Sequence, residues 1–341
     1  SMTTGSGTTT SSGSVVVKSV DAGGAGISGH FHFDTGDATS GAGGMIEMST
    51  GASNGGASDF VASGGMSSTD HGGYILVFGG GSSTTGGTVS LNSALGSATS
   101  SGQLMIRSVD AGEAGVSGTL RFESGTTSSG GSGAVSIVSG SATTGHSGNI
   151  IVSAGTGTVD NGESLIFSAG DSGGATGGSL SLSAGVSNPK SSGSVLLKTS
   201  NAGNSGGISG GMKFSTGSTT SGTGGLISIT TGTATMGKAG FAVLSTGEGN
   251  TGHGGEVLFS AGGSSHGTSG GGSISVTSGW GAGGTSGTGG HTIVTAGSSA
   301  GTGGSISLSS GGAGASSSGG IVVKTVDAGS NGFTGALEFS S

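Results

Sequence analysis

Self-similarity at a short fixed period constrains this chain more than any other property. The stretch Gly178-Ser179-Leu180-Ser181-Leu182-Ser183-Ala184-Gly185 is followed by a return without large apolar residues, and nearly everything else is a variation on it. First apolar residues recur at Val15, Phe31, Ile46, Phe60, Ile75, Val89, Leu104, Leu120, Val135, Ile150, Leu165, Leu180 and Val195. They continue through Met212, Ile227, Ala242, Val257, Ile274, Thr292, Ile306, Ile321 and Leu337, most steps being 14 to 16 residues. A second apolar residue usually follows two positions later, as in Val15/Val17, Phe31/Phe33 and Ile46/Met48. Spacing of two is the strand period, because successive side chains of an extended chain point to opposite faces. No segment carries the i, i+3, i+4 pattern of a helix.

A period of this kind in a chain of this length predicts a solenoid. The expected fold is all-β: a parallel β-solenoid of about 22 repeats of roughly 15 residues, without helices. One repeat per coil gives a rod of about 105 Å at roughly 4.8 Å per coil, and two repeats per coil give half that. A longer period lies above the short one. Val15-Val16-Val17-Lys18-Ser19-Val20-Asp21-Ala22-Gly23 returns as Leu104–Gly112, Val195–Gly203 and Ile321–Gly329, six, six and eight units apart. Eight is not a multiple of three, which disfavours a triangular coil of three units. The expected organisation is one continuous repeat domain over residues 3–341, carrying a super-repeat of roughly 90 residues. Ser1-Met2 reads as a protease-cleavage remnant ahead of a start methionine, and the chain as an excerpt of a longer array.

Composition narrows the alternatives. Glycine is 87 of 341 residues, yet there is one proline, Pro189, and no strict Gly-x-x period, which excludes collagen. Regularly spaced aliphatic clusters separate the chain from a flexible Gly/Ser linker. There is no cysteine, so neither disulfides nor thiolate metal sites can form. The net charge of −8 is spread thinly, with no basic patch for nucleic acid. No apolar run approaches the length of a membrane-spanning helix.

Chemistry-bearing residues are few and scattered. Lys18/Asp21, Arg107/Asp110, Lys198/Asn201 and Lys324/Asp327 read as surface pairs at strand ends, of the kind that contribute about 0–1 kcal/mol. Asn201 breaks the charge pattern that a ligand site would need. His71, His146 and His253 each stand before a strand, units apart, and His30 and His32 flank Phe31; no metal site is expected. The 16 Asp and Glu residues form no catalytic pair and no repeated calcium motif, and neither an enzyme nor a cofactor is expected.

Two surfaces remain as candidates. The middle residue of many apolar runs is itself aliphatic: Val16, Val61, Leu76, Met105, Ile151, Ile166, Leu196, Val243, Leu258 and Val322. Regular outward aliphatics of this kind predict a lateral-contact face, for self-association or for neighbouring repeats of a parent protein. The second surface is a hydroxyl-rich face, Ser179, Ser181, Ser183, Ser305, Ser307 and Ser309, suited to ice, glycan or mineral.

The pattern Gly303-Gly304-Ser305-Ile306-Ser307-Leu308-Ser309-Ser310-Gly311 resembles the fifteen-residue Gly/Ser/Thr arrays of very large microbial and algal surface proteins. That resemblance implies an extracellular or cell-surface location and a scaffold or adhesive role, with no catalytic residue to transfer. The expected function is therefore a non-catalytic structural or adhesive repeat of an extracellular fibre, wall or matrix. The alternative is a binding module that presents the hydroxyl face to ice, glycan or mineral.

Overall fold

The computed structural model describes residues 2–4, 12–24, 26–53, 56–96, 100–113, 115–158, 161–188, 190–203, 207–266, 268–281, 288–314, 316–329 and 332–340. Ser1 and Pro189, named above, lie outside them. The chain divides into two units, Ser1–Ile166 and Phe167–Ser341.

Among the described residues there is no helix and no β-strand. The expected all-β parallel β-solenoid is therefore not the fold of this chain. A solenoid needs each coil to donate and accept backbone hydrogen bonds along the next. The backbone bonds found among the described residues instead close local loops, at separations of 3 to 11 residues. The first and second apolar residues of the units, which a solenoid would turn inward, enclose no core, because no described residue is buried. The solvent-accessible surface is 32926 Å² for 31.0 kDa. A compact protein of that mass exposes about 12,000 Å². The physical reason lies in the repeat itself. Two facing aliphatics per unit are a small apolar payload, and the glycine-rich return carries the largest conformational entropy cost of any residue type.

What the repeat does build is a succession of extended apolar tripeptides joined by bent loops. In both units the chain bends midway between tripeptides, as at 39–41, 68–70, 83–85, 128–130 and 143–145 in the first, and 173–175, 220–222, 235–237, 250–252 and 300–302 in the second. Alternation of faces is preserved: the rings of Phe31 and Phe33, two residues apart, meet edge to face at 4.6 Å.

Each loop has a neck, and the neck explains where glycine stands. Counting from the first apolar residue of a unit, the residue two before it is glycine in all but two units, the exceptions being Ser58 and Glu163. The fourth residue after it is small. Across the loop these two positions meet. A Cβ on Gly255 would lie 2.8 Å from the Cβ of Thr246, one on Gly225 2.9 Å from that of Thr216, and one on Gly44 3.0 Å from that of Thr35. Ser124/Gly133, Ser139/Gly148, Ala184/Gly193 and Ser310/Gly319 repeat the crossing at 3.4 to 3.7 Å. The few half-buried described residues include Thr35, Ser108, Ser124 and Ala296, all at this neck position. Close packing at the necks is thus hydroxyl, methyl or backbone against glycine, not aliphatic against aliphatic.

Two kinds of loop share this neck. In one, the neck glycine donates its N–H to the carbonyl of the residue five after the preceding first apolar residue. Gly73 to Gly65 at 2.8 Å, Gly87 to Gly80 at 2.7 Å, Gly178 to Gly170 at 2.9 Å and Gly193 to Gly185 at 2.9 Å are examples. In the other, no such bond forms among the described residues, and the bend ends on a glycine of positive φ: Gly41, Gly130, Gly145, Gly222 or Gly237. Each of these five stands five residues before the next first apolar residue, namely Ile46, Val135, Ile150, Ile227 and Ala242. No non-glycine residue adopts positive φ among the described residues, so Asp70, Thr84 and Ala175 at the same place force the first kind of loop.

Candidate functional site

The ten middle aliphatics are more exposed than the first apolar residues of the units. They range from Met105 at 68% to Ile151 at 82%, whereas first apolar residues range from Val257 at 42% to Phe60 at 65%. Both faces of the tripeptides are therefore open, the middle face more so. Leu76 in the first unit and Leu258 in the second stand between exposed neighbours on either side, Ile75 and Val77, Val257 and Phe259. The backbone N–H and C=O groups of these tripeptides also find no backbone partner among the described residues.

The six serines of the hydroxyl face are all exposed, and none hydrogen-bonds to another. Most hydroxyls that do engage lie at necks and bends instead, Ser90 Oγ accepting from Asn92 Nδ2 at 2.6 Å within an apolar run being an exception. Thr231 Oγ1 donates to Gly240 O at 3.2 Å and Thr246 Oγ1 to Gly255 O at 3.0 Å. Thr127 donates to Ser129 O at 2.9 Å and Thr219 to Ser221 O at 3.1 Å, so the bends before Gly130 and Gly222 are built alike. Where Thr292 replaces the first apolar residue, its hydroxyl meets Ser278 Oγ at 2.5 Å across the loop that carries Trp280.

The four Lys/Arg-x-x-Asp/Asn sequences form no ion pair within themselves among the described residues. Their shared feature is a turn. A Cβ on Gly26, Gly115, Gly207 or Gly332 would stand 3.4 to 3.9 Å from the methyl of Ala22, Ala111, Ala202 or Ala328. Gly26 and Gly332 also donate to Gly23 O and Gly329 O at 3.0 and 3.2 Å. The Asp/Asn-Ala-Gly tripeptide is thus a turn former, with its charge left to solvent.

Among the histidines, His32 Nε2 lies 3.8 Å from Asp34 and His71 Nδ1 2.6 Å from Asp70. Arg121 pairs with Glu123 two residues on. No group of three or more His, Asp or Glu residues among the described ones converges on a point where a metal ion could sit. Among the same residues, no helix is long and apolar enough to cross a membrane.

One concave feature escaped the reading of the sequence. Ser67, Ser68, Thr69, Asp70 and His71 line an open bowl of about 400 Å³. Asp70 N–H donates to Ser67 Oγ at 2.9 Å, and His71 N–H donates to the Asp70 carboxylate at 2.8 Å. Ser67 Oγ serves the turn rather than the imidazole, so Ser, His and Asp are neighbours here without forming a nucleophile–base relay. The His71 ring, and then the His71 backbone N–H, hold the Asp70 carboxyl below its ordinary range. Because this pKa is depressed, the contact is complete above the ordinary Asp range and is lost as pH falls through the lowered value. Titration followed by the Asp70 carboxyl carbon shift is expected to show this, with His71→Ala moving Asp70 back toward the ordinary range while the backbone N–H at position 71 keeps its part. An unchanged Asp70 titration in that variant would break the assignment.

No protein-family model, no curated protein and no solved structure matches the chain.

Proposed function

We propose that the chain is a non-catalytic structural or adhesive repeat element of an extracellular fibre, wall or matrix. One observation carries this reading: the same fifteen-residue unit is laid down about 22 times, and its described aliphatic side chains all face solvent. Repetition of an open apolar tripeptide suits many equivalent weak contacts along a length, whereas catalysis needs one converging group of residues. The extracellular location follows from the resemblance to surface-protein arrays.

The test is adsorption of the purified chain to a sensor surface. On plain hydrophobic, cellulose, chitin and mineral coatings alike, the expected result is a layer that thickens with continued supply and resists rinsing. Retention on a single glycan or mineral, in a layer one molecule thick, would instead identify the binding module. In that case retention should fall when Ser179, Ser181 and Ser183 become Ala.

A further inference from the structure

We infer that the occupant of the open tripeptides is a second copy of this chain, docked tripeptide against tripeptide. This deepens the structural reading above and rests on it.

Area is the first argument. The chain exposes 32926 Å², and a compact protein of its mass about 12,000 Å². The difference is many times the roughly 1,200–2,000 Å² that a stable protein–protein interface buries. Congruence is the second. A partner covering this surface must offer apolar contacts at the same spacing, mostly 14 to 16 residues, over the whole length. A second copy carries that spacing by construction, so seating one tripeptide brings its neighbours to theirs and the later contacts become intramolecular. Electrostatics is the third: a net charge of −8 over 341 residues opposes the approach of two copies only weakly. Finally, tripeptide backbone groups without backbone partners are templates for pairing with another chain.

The middle residues also limit the registers. Over three successive six-unit blocks they run Val16, His32, Glu47, Val61, Leu76, Ser90; then Met105, Arg121, Ser136, Ile151, Ile166, Ser181; then Leu196, Lys213, Ser228, Val243, Leu258, Ser275. Each block reads apolar, polar, polar, apolar, apolar, polar. Over these three blocks, two copies running in the same direction keep aliphatic over aliphatic only when aligned, or when offset by whole blocks. An offset of one block leaves free tripeptides at both ends, so growth is open-ended.

The experiment compares the full chain with I151S/I166S/L258S by light scattering across concentration. Amide hydrogen exchange is read on both the dilute and the associated samples. The expected result is a mass that rises with concentration and protection gained at the tripeptides. The triple variant should move the onset to concentrations about tenfold higher or more, since it removes three aliphatic contacts per copy. S179A/S181A/S183A should leave the onset in place. A chain that stays monomeric throughout overturns the inference. So does an equal onset in the triple variant, or protection confined to the loops. A monomeric chain that still builds a thick layer on every surface sinks only the self-docking, whereas one retained on a single ligand sinks the structural reading itself.

Discussion

Heating a dilute solution of this chain in a calorimeter gives no cooperative transition and almost no heat-capacity step. The heat-capacity change of unfolding reports apolar surface passing from a protein interior into water. A compact chain of 341 residues would give about 4–5 kcal/mol/K at 12–15 cal/mol/K per residue. No described residue is buried, and the apolar side chains that would generate the step are already hydrated. The loop necks melt one by one, since each is held by one or two contacts within its own loop. Raising the concentration changes the outcome. Once copies dock, apolar surface is removed from water, and a transition emerges whose midpoint climbs with concentration by mass action. A sharp, concentration-independent transition with a step near 4 kcal/mol/K in the dilute sample would mean a buried core, and would overturn the open architecture.

The contrast between that expectation and the solenoid predicted from the repeat shows what a local pattern can specify. Period-two alternation sets which side chains share a face, and Phe31 and Phe33 meeting at 4.6 Å follow from it. Bends between tripeptides follow from the Gly, Ser and Thr runs. Neither property names a partner for the backbone. Pairing of one coil with the next is a non-local event, and nothing within fifteen residues dictates it. The tripeptide Leu165-Ile166-Phe167 reads as a strand buried on both faces, yet Leu165 is 49% and Ile166 78% exposed. An apolar run therefore marks surface that needs cover, without saying whether the same chain supplies it.

The neck was legible and was overlooked. Glycine two residues before the first apolar residue in all but two units, with a small residue four after the preceding one, is visible in the sequence. Glycine in such a chain is readily taken as a corner former. Only five described glycines have a positive φ, while many more stand where another side chain crosses close by. The Ser67–His71 bowl left no comparable signal, because it depends on the particular course of one bend.

Gly255→Ala is the sharpest probe of the neck, and it opens the loop from Thr246 to Gly255. The new methyl would start 2.8 Å from Thr246 Cβ, the root of a β-branched side chain that cannot swing away without moving the backbone. Separating the two strips the loop of both its fasteners: Gly255 N–H to Gly247 O at 3.0 Å, and Thr246 Oγ1 to Gly255 O at 3.0 Å. Each bond contributes about 0.5–1.5 kcal/mol, so losing both lowers the closed population by roughly tenfold or more. The amide at position 255 then exchanges, and shifts with temperature, like a solvent-facing amide. Two variants isolate the cause. Thr246→Val keeps the branched root and removes only the hydroxyl, so the amide of Gly255 stays partly protected. Gly252→Ala adds its methyl where nothing lies within 4 Å and leaves the neck closed. Equal loss of protection in Gly252→Ala and Gly255→Ala would show that glycine serves chain freedom throughout the loop rather than the close crossing at its base. The crossing makes position 255 intolerant of any side chain and position 252 indifferent to a small one. A threonine faces the neck glycine in the same way at Thr35/Gly44 and Thr216/Gly225, but there the glycine three residues earlier, Gly41 or Gly222, has positive φ and resists a side chain as well.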